Sequence, residues 1–207
     1  MKLTNLVVGP IQTNCYIAED AGETIVIDPG DDAGKILEVL DGRPVKEIVL
    51  THCHFDHVSA LSALEEATGA PAAMSAVDAP RVDGQSVDGG HDIARGHGAP
   101  HIDRLLHEGD KVSVGECTFS VIETPGHTPG SICLYCASEG VLFAGDTLFA
   151  HGGYGRTDFE GGSFHDIVAS MRDKLSGLPD DTIVFSGHGP RSTMRYEKHV
   201  NEYLHAN

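Results

Sequence analysis

The segment Thr51-His52-Cys53-His54-Phe55-Asp56-His57 follows the apolar run Glu47-Ile48-Val49-Leu50 and precedes an amphipathic stretch beginning at Val58. It sets His52, His54, Asp56 and His57 almost side by side. So many polar groups beside a buried strand fit best where the strand ends and a helix begins. There the side chains converge outside the carboxyl end of the strand, the usual ligand position in open α/β sheets. Imidazole and carboxylate are the nitrogen and oxygen donors that zinc and similar divalent ions prefer. Cys53, between two ligand candidates on a strand end, should point away from them and is read as packing.

The rest of the chain alternates strands with helices. Asn14 to Ala18 and Thr24 to Asp28 read as strands joined at Asp20-Ala21-Gly22, and Ala33 to Leu40 as a short helix. Lys46 to Thr51 is a buried strand and Ser59 to Thr68 a helix. Residues 78–104 show little periodicity and read as a long surface excursion. A second group of strands covers Val112 to Val114, Thr118 to Glu123, Ile132 to Tyr135 and Val141 to Ala144. Ser163 can cap a helix from Phe164 to Leu175. Thr182 to Ser186 is the last strand, followed by a helix around Arg195 to Leu204. Strands then helix in each half predict an α/β fold, a four-layer αβ/βα sandwich of two mixed sheets packed face to face with helices outside. No repeat or interdomain linker is visible, so 1–207 reads as a single domain.

The balance of 14 Lys+Arg against 31 Asp+Glu gives −17. That field repels a phosphate backbone and argues against nucleic acid as a partner. No stretch approaches a membrane span, and the first residues lack the pattern of a signal peptide. The odd set Cys15, Cys53, Cys117, Cys133 and Cys136 reads as reduced thiols, and with them the expected compartment is the cytoplasm. Cys133-Leu-Tyr-Cys136 has CxxC spacing but lies in a strand-like run with no second such pair, so both are read as buried strand positions.

Three more candidates stand at predicted strand ends: His127 in Thr124-Pro125-Gly126-His127-Thr128-Pro129-Gly130, Asp146 in Phe143-Ala144-Gly145-Asp146-Thr147, and His188 in Phe185-Ser186-Gly187-His188-Gly189-Pro190. Adjacent glycines let the backbone approach closely there. Taken in order, His52-x-His54-x-Asp56-His57, His127, Asp146 and His188 resemble the signature motifs of the metallo-β-lactamase-fold hydrolases. Thr13 to Tyr16, Ile27-Asp28-Pro29-Gly30 and Gly109-Asp110 fit as well. The resemblance implies the metallo-β-lactamase fold and two divalent metal ions per chain, zinc by preference, with iron or manganese as alternatives. One metal would take His52, His54 and His127 and the other Asp56, His57 and His188, with Asp146 shared. A hydroxide bridging the pair would be the nucleophile, and Asp56 would also orient it. The remaining histidines, His91, His97, His101, His107, His165, His199 and His205, read as loop or surface residues, and His151 as a candidate for the mouth of the site.

The run Gly155-Arg156-Thr157-Asp158-Phe159-Glu160-Gly161-Gly162 looks like a loop shared by short glyoxalase II-type hydrolases and persulfide dioxygenases. Gly187-His188-Gly189-Pro190, with Thr193 and Glu197, is closer to the glyoxalase II-like group. Asn201-Glu202-Tyr203-Leu204 departs from that group's Asn-Pro-Phe run. Against the longer glyoxalase II enzymes, residues 1–207 are expected to form the metallo-β-lactamase-fold domain without the C-terminal helical glutathione-binding domain. The resemblance implies a thioesterase (a hydroxyacylglutathione hydrolase-like enzyme) whose partner is a small-molecule thioester such as S-lactoylglutathione. The alternative it leaves open is a persulfide dioxygenase with one iron on His52, His127 and Asp146. Arg156 is a candidate for a substrate carboxylate or for a pair with Asp158 or a carbonyl of its own loop. Phe159 either walls the pocket or anchors the loop.

Overall fold

The computed structural model describes residues 1–83 and 99–205. Contacts among them divide into two units, Met1–Leu106 with Ser113–Cys117, and His107–Val112 with Thr118–Asn207.

The first unit is built on a sheet of strands β1 (Lys2–Val8), β2 (Thr13–Asp20), β3 (Glu23–Ile27), β4 (Glu47–Leu50), β5 (Ala72–Ser75) and β6 (Arg104–Leu106), paired in that order. β1 to β3 form antiparallel hairpins and β3 to β6 run parallel, so the sheet is mixed. The β2–β3 turn is tight: Asp20 pairs with Glu23, and Ala21 and Gly22 between them both take positive φ. That is the twist a two-residue hairpin loop requires. Helix α1 (Ala33–Leu40) connects β3 to β4, and α2 (Phe55–Val58) and α3 (Leu61–Thr68) connect β4 to β5. Alternate residues Ile48 and Leu50, then Ala72 and Met74, share a core with Ile36, Leu40, Leu61 and Leu64 from the helices. Their neighbours Val49 and Ala73 are also fully buried, as expected of parallel strands covered on both faces.

The second sheet has the order β12 (Ser192–Thr193), β11 (Ile183–Ser186), β10 (Val141–Gly145), β9 (Ile132–Cys136), β8 (Cys117–Glu123) and β7 (Lys111–Val114). β10 and β11 pair in parallel, so their carboxyl ends lie together, while β9 runs antiparallel to both β8 and β10. Helices α4 (Phe164–Ser170) and α5 (Met194–Val200) contribute Ile167 and Met194 to a core with Leu142, Ala144 and Val184. Phe143 stacks on Phe185 with ring centroids 5.5 Å apart and meets Phe119 in a tilted contact at 5.7 Å. Among the described residues no helix is long and apolar enough to cross a membrane.

Most predicted elements appear within a residue or two of their expected bounds, and the departures have physical causes. Asp56 and His57 sit on a helical turn of their own, α2, because His54 enters it from extended backbone, and α3 begins only at Leu61. The α4 helix is capped as expected, Ser163 Oγ accepting from Asp166 N, but its last turn, Met171–Leu175, widens into π geometry. The strands β1 and β5 had no counterpart in the sequence reading. The expected surface excursion at 78–104 is corrected at both ends: Asp78, Ala79 and Val82 are buried, and Arg104 begins β6. The centre of that excursion, with His91 and His97, lies outside the described residues.

Candidate metal centre

The ligand candidates of the first unit follow β4. His52, His54 and His57 are buried, with the His52 ring centroid 4.9 Å from that of His54 and 4.1 Å from that of His57. Asp28, just after β3, organises His52 and His57. One carboxylate oxygen accepts from Thr51 N at 2.7 Å, and the other faces both Thr51 Oγ1 at 2.7 Å and His57 Nδ1 at 2.9 Å. The Thr51 hydroxyl, its single proton given to Asp28, is left to accept from His52 Nδ1 at 3.1 Å. Asp56 is oriented separately, its Oδ2 accepting from Thr13 Oγ1 at 2.9 Å and lying 3.6 Å from His57 Nε2. Gly30 lets this turn close: a Cβ there would stand 1.7 Å from the carbonyl oxygen of Asp56.

In the second unit the candidates follow three different strands. His127 leaves β8 in the Pro-Gly turn, Asp146 follows β10, and His188 follows β11. One carboxylate oxygen of Asp146, Oδ2, lies 3.4 Å from His127 Nε2 and 3.6 Å from His188 Nε2. His127 Nδ1 is 2.7 Å from the carbonyl of Arg156, which can only accept. Two glycines make room. A Cβ on Gly126 would stand 2.2 Å from the backbone of Ile167, and one on Gly155 would stand 2.3 Å from Asp146 O and 2.6 Å from His127 Nδ1.

The donor set fits divalent cations. The carboxylate beside His57, the hydroxyl beside His52 and the carbonyl beside His127 all require a proton on Nδ1. Each ring is thereby fixed in the tautomer whose Nε2 carries the lone pair, the arrangement that orients metal-ligating imidazoles. All seven predicted ligands thus fall into two convergent groups, His52, His54, Asp56 and His57 in the first unit and His127, Asp146 and His188 in the second. Thr13 and Asp28 lie in runs that fit the family resemblance, but the sequence marks neither them nor Thr51 as groups that orient the ligands.

The loop candidates pair locally. Arg156 makes a bidentate ion pair with Asp158, Nε to Oδ1 and Nη2 to Oδ2 both at 2.7 Å, and its guanidinium lies 3.9 Å from the centroid of Phe159. The Arg156 contact holds the Asp158 carboxyl down at about 2. Phe159 packs beneath that guanidinium with 45% of its surface exposed. His151 Nδ1 meets Tyr196 Oη at 3.2 Å. His101, His107, His165, His199 and His205 are exposed. The cysteines are all buried thiols, Cys53 in the core and Cys133 and Cys136 on β9, and burial pushes the Cys133 thiol up to about 11.

Comparison with known proteins agrees with this fold and donor set. Residues 8–188 match the model of the metallo-beta-lactamase superfamily. The chain is 33% identical to the hydroxyacylglutathione hydrolase GloC of Haemophilus influenzae, with 100% of this chain and 99% of the relative covered. The crystal structure of the B3 metallo-beta-lactamase BLEG-1 superposes with a TM-score of 0.85 at 35% identity, covering 98% of this chain and 99% of that one. That of TTHA1623, in a di-iron-bound form, gives 0.82 at 34% identity, covering 97% and 99%. The chain belongs to the metallo-β-lactamase superfamily and has its metallo-hydrolase fold.

Proposed function

We propose that the protein is a binuclear metal-dependent thioesterase acting on S-lactoylglutathione or a related hydroxyacyl thioester in the cytoplasm. The observation that carries the binuclear reading is the place of Asp146. One of its oxygens is nearly equidistant from His127 and His188, which this reading assigns to different cations. This position supports a carboxylate shared by the two. His52, His54 and His127 would hold one cation, Asp56, His57 and His188 the other, and Asp146 both. Zinc suits these donors, and iron or manganese is chemically admissible. Bound there, the cations supply Lewis acidity toward water and toward the thioester carbonyl. The likeness to a hydroxyacylglutathione hydrolase over the full length supports the choice of substrate.

The chain's own groups then have definite tasks. Thr13 holds Asp56 Oδ2, so that carboxylate is aimed before substrate arrives, and it can accept a hydrogen bond from the attacking water. The water oxygen bonds to the acyl carbon as its proton passes to bulk water. The C–S bond then breaks, the sulfur leaves as a thiol or thiolate, and the acyl group leaves as a carboxylate. Arg156 is proposed to receive a substrate carboxylate by exchanging it for that of Asp158, two anions of the same bidentate geometry. Phe159, under the guanidinium, keeps that fork in place.

Replacing Asp146 tests this reading. Asp146→Ala should bind fewer than two cations per chain and lose thioesterase activity by orders of magnitude. Full activity with a full metal complement would rule out the shared ligand.

A further inference from the structure

Glu197 on α5 is 0% exposed, yet it lies among none of the proposed ligands. Its carboxylate accepts from three donors: His151 N at 3.1 Å, Gly152 N at 2.7 Å and the hydroxyl of Ser192. These donors belong to the two segments that follow Asp146 and His188.

The first segment is a closed loop. Gly155 N returns to Asp146 O at 2.8 Å, and Phe149 N to Gly153 O at 2.9 Å. The next residue, Arg156, supplies the carbonyl that orients His127. At the far side of the loop His151 takes φ 64 and Gly152 φ 76. Left-handed backbone is costly for a side-chain-bearing residue. In this conformation two successive N–H groups point the same way, and Glu197 takes both. Asn201 Nδ2 adds a bond to Gly152 O at 3.3 Å. The second segment carries His188 and ends at Ser192, the third donor. It is tied to the first by Ser186 Oγ to Leu148 O at 2.7 Å and by the edge-on contact of Phe149 with His188.

We infer that Glu197 is a positioning residue for the metal centre: its buried carboxylate holds the 146–155 loop in its left-handed turn and clamps it to the His188 segment, setting the spacing of His127, Asp146 and His188. The inference rests on the metal reading above but concerns a residue that touches no ligand.

The test is titration of metal-free protein with cobalt(II), whose visible spectrum reports coordination, beside melting of the metal-free form. In Glu197→Gln an amide N–H₂ replaces one acceptor oxygen and confronts backbone N–H. Cobalt affinity should fall about tenfold, at the low end of what outer-shell partners are worth, with an altered spectrum. Adding His151→Gly, which removes the cost of the positive φ, should restore part of that loss. Should Glu197→Gln fail to fold, Ser192→Ala removes a single donor and should weaken cobalt binding by a smaller factor. The inference is overturned if Glu197→Gln, or Ser192→Ala in its place, binds cobalt with wild-type affinity and spectrum, whatever the melting temperature does. It is equally overturned if the His151→Gly double variant recovers nothing. Wild-type protein that takes up no cobalt would instead defeat the metal reading itself.

Discussion

The carboxylate of Asp28 lies 2.9 Å from Nδ1 of His57 and also accepts from both the backbone N–H and the hydroxyl of Thr51. Three donors thus converge on one buried anion just after the strand β3. In Asp28→Asn, the oxygen now shared by His57 and Thr51 becomes an N–H₂ group facing two donors. The expected result is a 10–100-fold loss of metal affinity, the usual cost of removing the partner of a ligating histidine. The metal-free protein should also lose about 1–3 kcal/mol for each donor left without an acceptor. Metal titration and denaturant melts check this together, and unchanged metal affinity would exclude a role for Asp28 in setting the His57 tautomer.

Gly30 makes a steric prediction. A methyl group 1.7 Å from the Asp56 carbonyl cannot be accommodated without moving the α2 turn. Gly30→Ala should therefore shift Asp56 and His57 together, with at least a tenfold loss in kcat/KM and reduced metal content. An isolated drop in stability with metal content and rate intact would show that the turn moves without disturbing its ligands.

The Arg156–Asp158 pair predicts an acid limit. Asp158 is held at about 2, below its ordinary value, so the ionised pair is complete above the usual carboxylate range and is lost as pH falls through about 2. In Arg156→Ala the Asp158 carboxyl should return to roughly 3.9, readable by carboxyl-carbon NMR. Kinetically, Arg156→Ala should raise KM for S-lactoylglutathione with kcat little changed, the signature of lost uniform binding. An unchanged KM would confine Arg156 to its loop.

The net charge of −17 predicts a dependence on salt. Excess like charge destabilises the folded state, and salt screens it over about 10 Å at 0.1 M and about 3 Å at 1 M. The melting temperature should rise between low salt and 1 M KCl. A fall over that range would mean that the surface ion pairs outweigh the repulsion.

How far these features are legible in sequence differs by kind. The ligands could be read because their residue types are rarely placed together at strand ends for packing alone, and His188 in Gly-His-Gly-Pro stands out as plainly as the His-x-His-x-Asp-His run. Helix α1 could be read to the residue because its apolar spacing and flanking turns agree. Strand β5, Ala72–Ser75, could not: two alanines carry little β preference, and the strand exists because parallel neighbours pair with it on both sides. Asp28 and Glu197 were seen as parts of motifs but not as acceptors, since what they do depends on backbone N–H groups far along the chain. Arg156 has three possible partners in sequence, a substrate carboxylate, Asp158 and a loop carbonyl, and the three-dimensional loop supplies Asp158.

A binuclear thioesterase is tested most directly by metal quantification of the purified protein together with hydrolysis of a panel of thioesters, S-lactoylglutathione beside acyl groups on other thiols. The expected result is close to two metals per chain and hydrolysis of a hydroxyacyl thioester that is lost on chelation and restored by metal. About one iron per chain, with oxygen consumed on glutathione persulfide and no thioester cleaved, would contradict it.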